Sequence, residues 1–164
     1  MIRIALLLFL ALMFTSMVSA QVSSTYTKLD AKRCKSLKPD QKNGEIERLK
    51  CGGVGGYWLR ILSGSDDTVA DVVTPSGKAF SADYTFAGHR AVSGTSEWRV
   101  KNGRPIGVIL RYSVQEPEGY KSYLVVTKVS RSSACVTGMV PPGKTQNAEA
   151  RKMADSQQPC RKSN

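Results

Sequence analysis

Four cysteines, Cys34, Cys51, Cys135 and Cys160, constrain this chain most, because all of them follow a stretch that reads as an export signal. Residues 1–20, MIRIALLLFLALMFTSMVSA, place Arg3 before an apolar run from Ile4 to Phe14. They close on Val18-Ser19-Ala20, small enough at the −3 and −1 positions for signal-peptidase cleavage. The run is shorter than the roughly 20 residues that a membrane-spanning helix needs, and Gln21 offers no cysteine for a lipid anchor. The expected product is a single soluble domain, residues 21–164, periplasmic or secreted, with no integral membrane segment after cleavage. In an oxidising compartment four cysteines read as two disulfides. Nearest-neighbour pairing, Cys34–Cys51 and Cys135–Cys160, would staple the two ends of the domain separately, although spacing alone leaves three pairings open. A metal site is the weaker reading, since there is no C-x-x-C pair and His89 is the only histidine.

Without Arg3 the chain carries 23 Lys and Arg (24 less one) against 13 Asp and Glu. The excess is spread along the sequence. It can be read as attraction to an anionic surface, such as lipid headgroups, lipopolysaccharide phosphates or an acidic protein, or simply as a solvated surface. Nucleic acid is set aside: export removes the usual supply, and no aromatics interleave with the basic residues as in single-strand binders.

Three zones follow. Residues 21–45 are polar and basic with little periodicity and read as a lead-in tied down by Cys34. Residues 46–137 read as a β core. The expected strands are Ile46–Cys51, Tyr57–Leu62, Thr68–Val73, Ser96–Val100, Pro105–Val114, Tyr120–Val129 and Ala134–Thr137, divided by turn signals such as Pro75-Ser76-Gly77. Residues 138–164 open with Pro141-Pro142-Gly143 and continue into a short helix. Thr145 or Asn147 is its N-cap, and Ala150, Met153 and Ala154 form a narrow apolar stripe. This pattern predicts an α+β domain: an antiparallel meander or partly open barrel with one C-terminal helix.

The stretch SEWRVKNGRPIGVILRYSV, residues 96–114, predicts a hairpin. A three-residue loop with Gly103 left-handed would pair Val100 with Arg104 and Trp98 with Ile106. Trp98, Ile106, Val108, Leu110 and Tyr112 then share an apolar face, and Glu97, Arg99, Pro105, Gly107 and Arg111 share the other. That second face reads either as an ion pair or solvated surface, or as a Glu–Arg patch for a partner's charged group. The strand after the turn is apolar on both faces except at Arg111, which predicts a central, partly covered position. A half-buried Arg111 would need an acid, and Glu97 is the nearest in sequence.

No catalytic motif emerges. CGGVGGYW at 51–58 lacks the spacing and the following helix of a nucleotide loop, and reads as a tight backbone approach or a bulge before Tyr57. His89 has no nucleophile-elbow sequence to serve, and Asp66-Asp67 lacks the spaced oxygens of a calcium loop.

The blocks CGGVGGYWLR, EWRVKNGRPIGVILRY, YLVVTKV…ACVTG and NAEARKMAD…C resemble a group of small, exported, uncharacterised proteins of Gram-negative alphaproteobacteria. The resemblance implies a periplasmic address and carries no activity, cofactor or catalytic residue. At fold level the chain is also similar to periplasmic lysozyme inhibitors, small disulfide-bearing β domains, although its basic charge would slow encounter with a basic lysozyme. The expected function is therefore non-enzymatic binding of an anionic envelope component or an envelope protein, with no cofactor or metal. Glu97, Arg99 and Arg111 are the candidate recognition residues, with Trp58 and Arg60 beside them. An inhibitor of an envelope hydrolase would instead present a protruding loop over 85–95, and an enzyme would show a cleft where His89 or a carboxylate pair converges.

Overall fold

The computed structural model describes residues 21–161, so the export signal read over 1–20 lies outside the described residues. Eleven strands form one sheet: β1 (Val22–Lys28), β2 (Lys35–Leu37), β3 (Glu47–Cys51), β4 (Trp58–Ser63), β5 (Thr68–Val73), β6 (Ala79–Ser81), β7 (Arg90–Val92), β8 (Thr95–Lys101), β9 (Arg104–Glu116), β10 (Gly119–Ser130) and β11 (Ser133–Val140). One helix, α1 (Gln146–Asp155), follows. The α+β class and the disulfides Cys34–Cys51 and Cys135–Cys160 are as expected.

The sheet forks at β9. One edge of β9 pairs with β10 along most of its length. The other edge pairs first with β8 and then, through Tyr112–Val114, with β7. One wing is therefore β1-β8-β9-β10-β11, and the other runs from β7 through β5 to β4, β3 and β2. The wings curl toward each other into a half-barrel. Leu59, Ile61 and Val72 of one wing meet Trp98, Leu110 and Tyr112 of the other in a single core. Tyr112 is fully buried and stitches the wings together: its hydroxyl donates to the Ala82 carbonyl and accepts from the Ala70 amide, both at 3.2 Å. Burial pushes that hydroxyl far above the ordinary tyrosine range.

A second, smaller core lies on the outer face of the β8–β11 wing. Ile109, Leu124, Val126 and Val140 there receive Ala150 and Ala154 of α1, with Met153 packed alongside, so the predicted stripe is the docking stripe. Gly107 allows the helix to lie close, since a Cβ at that position would stand 3.3 Å from the Thr127 carbonyl and 3.5 Å from Ala154 Cβ. Gly53, in the loop before Tyr57, is a close backbone approach as read from the sequence: a Cβ there would lie 2.1 Å from the Tyr57 carbonyl oxygen.

Two expectations are corrected. The lead-in is not irregular, because β1 and β2 lie within it. In VSSTYTK polar residues alternate with polar residues, so no apolar period shows, and only the β propensity of Val, Thr and Tyr marks the strand. The hairpin turn has two residues, not three: Lys101 pairs with Arg104, and Asn102 and Gly103 both take positive φ (52° and 72°), the geometry that suits strand twist. A bulge between Arg99 and Val100 then restores the alternation. Trp98 faces Val108 rather than Ile106, and Pro105 moves to the side of Val100. Of the 85–95 loop that an inhibitor would present, residues 90–92 are tied into the sheet as β7 and Thr95 begins β8, while 85–89 lie outside the strands.

Thr127 is fully buried, and its hydroxyl has no hydrogen-bond partner among the described residues. Replacing an unmatched buried hydroxyl by a methyl of the same shape removes a desolvation cost. Thr127→Val is expected to raise stability by about 1 kcal/mol, read as a higher urea midpoint at unchanged slope.

Candidate functional site

The sequence-predicted residues divide between two faces. Glu97 and Arg99 project from β8 toward α1, and neither faces solvent: Glu97 is 9% and Arg99 7% exposed. Arg99 grips Asp155 at the end of α1 with two bonds, Nε to Oδ1 at 2.8 Å and Nη2 to Oδ2 at 2.6 Å. Its Nη1 donates to Ser24 Oγ of β1, which in turn donates to Glu97 Oε1 at 2.5 Å. Arg151 of α1 closes the network with bonds to both Glu97 oxygens, at 2.7 and 3.2 Å. Burial alone would raise the Glu97 carboxyl. The bonds from Arg151 and Ser24 and the charges of Arg151 and Arg99 outweigh that effect and hold it below the usual carboxylate range. Arg99 Nη1 also stands 3.4 Å from Glu97 Oε1, so the two form the ion pair expected as one reading of this face, whereas the solvated reading is corrected, because α1 covers it.

Arg111 lies on the same face of the sheet, but in different company. It is half-buried, and Glu97 is not its partner. Nη1 donates to Ser122 Oγ at 2.5 Å and to Gln146 Oε1 at 3.2 Å, and Nη2 donates to Asn147 Oδ1 at 3.0 Å. All three acceptors are neutral, which corrects the expectation of an acid. The guanidinium borders a recess of about 360 Å³ that is also lined by Tyr26, Thr95, Glu97, Asn147 and Arg151. Asn147 stands in the first turn of α1, so the positive end of the helix dipole adds to the charge there. Because Glu97 is already gripped by Arg151, the recess is left with a surplus of positive charge.

Trp58 and Arg60 belong to the opposite wing and do not join this group. Arg60 lies in register with Lys50, and Lys50 with Lys35, giving a cross-strand row of three cations. Asp71 accepts from Arg60 at 2.6 and 2.9 Å, and the Lys50 ammonium stands 4.7 Å from the centroid of the Trp58 ring. The row follows from the disulfide, since a Cys34–Cys51 link across antiparallel strands sets Lys35 opposite Lys50.

A cavity of about 910 Å³ opens between the 84–89 loop and the β9–β10 turn. His89 is exposed on its rim, with Nδ1 4.0 Å from Asp67 Oδ1, beyond hydrogen-bond range, so Asp67 does not orient this imidazole as a catalytic one requires. Asp67 is held instead by Arg90 Nη1 at 2.6 Å. The Glu116 carboxyl, also in the lining, is kept below the ordinary range by the bond from Lys121 and then by that from Tyr123. Among the described residues no group of three or more His, Cys, Asp and Glu side chains could hold a metal ion.

Sequence reasoning missed Ser24, Arg151 and Asp155. The signal available for the last two was their i, i+4 spacing beside the apolar stripe of a helix already identified. Compared with protein-family models, curated proteins and solved structures, the chain matches none.

Proposed function

We propose that this is a periplasmic or secreted binding protein, without catalytic machinery of its own, that holds an anionic group of an envelope component in the Arg111 recess. The observation that carries this reading is the company Arg111 keeps: a half-buried guanidinium bonded, among the described residues, only to neutral oxygens. Half-buried charge is costly without a counter-charge, so a guanidinium held by three neutral acceptors, with the one acid of the recess, Glu97, already paired with Arg151, suits a carboxylate or phosphate arriving from outside. Asn147 and Tyr26 can add neutral hydrogen bonds around it. The excess of basic residues supplies long-range attraction, to which the cross-strand pair Lys35 and Lys50 contributes. A disulfide-stapled platform limits the ordering cost of binding. The likeness to small exported proteins belongs to the same reading.

The test is co-sedimentation of the mature protein with phosphatidylcholine vesicles containing phosphatidylglycerol, against vesicles of phosphatidylcholine alone. Arg111→Gln keeps hydrogen-bonding capacity and is expected to weaken binding by about tenfold. Lys35→Gln with Lys50→Gln should mainly flatten the salt dependence. If Arg111→Gln binds like the parent with its circular dichroism unchanged, the recess is not the site.

A further inference from the structure

The cavity at the mouth of the half-barrel plays no part in the Arg111 reading, and its construction is of another kind. Its inner wall is aromatic. Phe86 stands 5.3 Å from Tyr84, 5.3 Å from Tyr123 and 6.0 Å from the buried Tyr112, centroid to centroid, all in tilted geometry. Phe86, Tyr84 and Tyr123 are each half-buried, so this aromatic cluster is seated on the core yet reaches the cavity lining. The rim is polar: Asp67 and His89 on one side, Gln115 and Glu116 on the other.

The charges on that rim are cancelled in place. Asp67 is paired with Arg90 at 2.6 Å, and Glu116 with Lys121 at 2.7 Å while also accepting from the Tyr123 hydroxyl. Each carboxylate keeps lone pairs free, because a carboxylate accepts at about four sites. An ionic ligand would gain little from the rim carboxylates, since each already has its counter-ion, and Arg161, 4.2 Å over the Tyr84 ring, lies outside the groove lining. A neutral ligand rich in hydroxyl groups gains from every part: its C–H faces lie on electron-rich ring faces, and its hydroxyls donate to planar oxygens and meet the imidazole. The volume, about 910 Å³, is at the upper end of ligand sites and exceeds what one sugar ring fills.

We infer that the groove between Tyr84–His89 and Val114–Pro117 binds a neutral saccharide of more than one ring, with Phe86 at the centre of the stacking wall. It recognises and does not cleave. The Glu116 carboxyl is held ionised by Lys121 and Tyr123, and Asp67 is locked to Arg90, so neither is placed to deliver a proton to a glycosidic oxygen.

The experiment is a nitrogen–proton NMR titration of the mature, disulfide-intact protein with chitotriose and, separately, maltotriose, with spermidine and dodecyl phosphate as charged rivals. At least one trisaccharide is expected to shift the amides of residues 84–89 and 114–117 at about 10 mM or below, with an affinity unchanged by moderate salt. Phe86→Leu retains apolar bulk and is expected to weaken that binding by about tenfold. Exposed His89→Ala should weaken it by about threefold, and it provides the same reading if Phe86→Leu fails to fold. The inference is overturned if neither trisaccharide shifts these amides, if a charged rival binds there more tightly, or if the folded variants bind as the parent does.

Discussion

Arg99→Ala is expected to lower stability by about 3 kcal/mol, which for a domain of this size is on the order of 10 °C in Tm. The substitution leaves the Asp155 carboxylate and the buried Glu97 short of the guanidinium that spans β1, β8 and α1. Replacing the pair by apolar groups, Arg99→Met with Asp155→Leu, should recover most of the loss, because the cost arises from stranding a charge rather than from losing the pair. Thermal denaturation of both variants decides the matter: an Arg99→Ala transition within a degree or two of the parent would mean that the network does not hold the helix. The same network sets an acid limit. The Glu97 carboxyl lies below its ordinary value in the folded state. Its contribution is therefore fully present above the unfolded value of about 4.3 and is lost as pH falls through that value toward the folded one. Glu97→Gln should flatten the stability profile in that acid window.

Reduction should have the next largest effect. The bridges span 17 and 25 residues in sequence, and loop closure assigns each about 3 kcal/mol. Calorimetry with and without reductant should show a fall in Tm of more than 10 °C, consistent with about 6 kcal/mol in total. The two bridges should be separable. Cys34→Ser with Cys51→Ser loosens the β2–β3 edge, whereas Cys135→Ser with Cys160→Ser releases the segment after α1 from β11. Peptide mapping that found Cys34 linked to Cys135 would remove the basis for this division.

The β core was legible because its strands carry Val, Ile and aromatics between turn residues; Thr68–Val73 was read to the residue. The helix was legible from its cap position and from Ala150, Met153 and Ala154. The partners of the site residues were not. Arg99 and Asp155 are 56 positions apart, and nothing local to either residue reports the other. Arg111 was read as a cation in need of an acid, a general rule that this structure meets with three neutral oxygens. The groove is assembled from segments near 67, 84–89, 114–117, 123 and 139, so it exists only after the sheet has curled. The hairpin shows a different limit: the segregation of its faces was readable, while the device that achieves it, a two-residue turn plus a bulge, was one of two ways to the same end.

β9 is buried on both sides, by the core between the wings and by α1, so apolar patterning alone cannot tell its correct alignment from one shifted by a single step. Two residues break the tie. A shifted strand would drive the Arg111 guanidinium in among Leu59, Val72 and Trp98, and would bring the side chain of Ile106 or Val108 to the place where the helix needs Gly107. Chains that pair wrongly during folding thus carry their own rejection signal, and the fidelity of the longest strand in the molecule depends on one cation and one missing side chain.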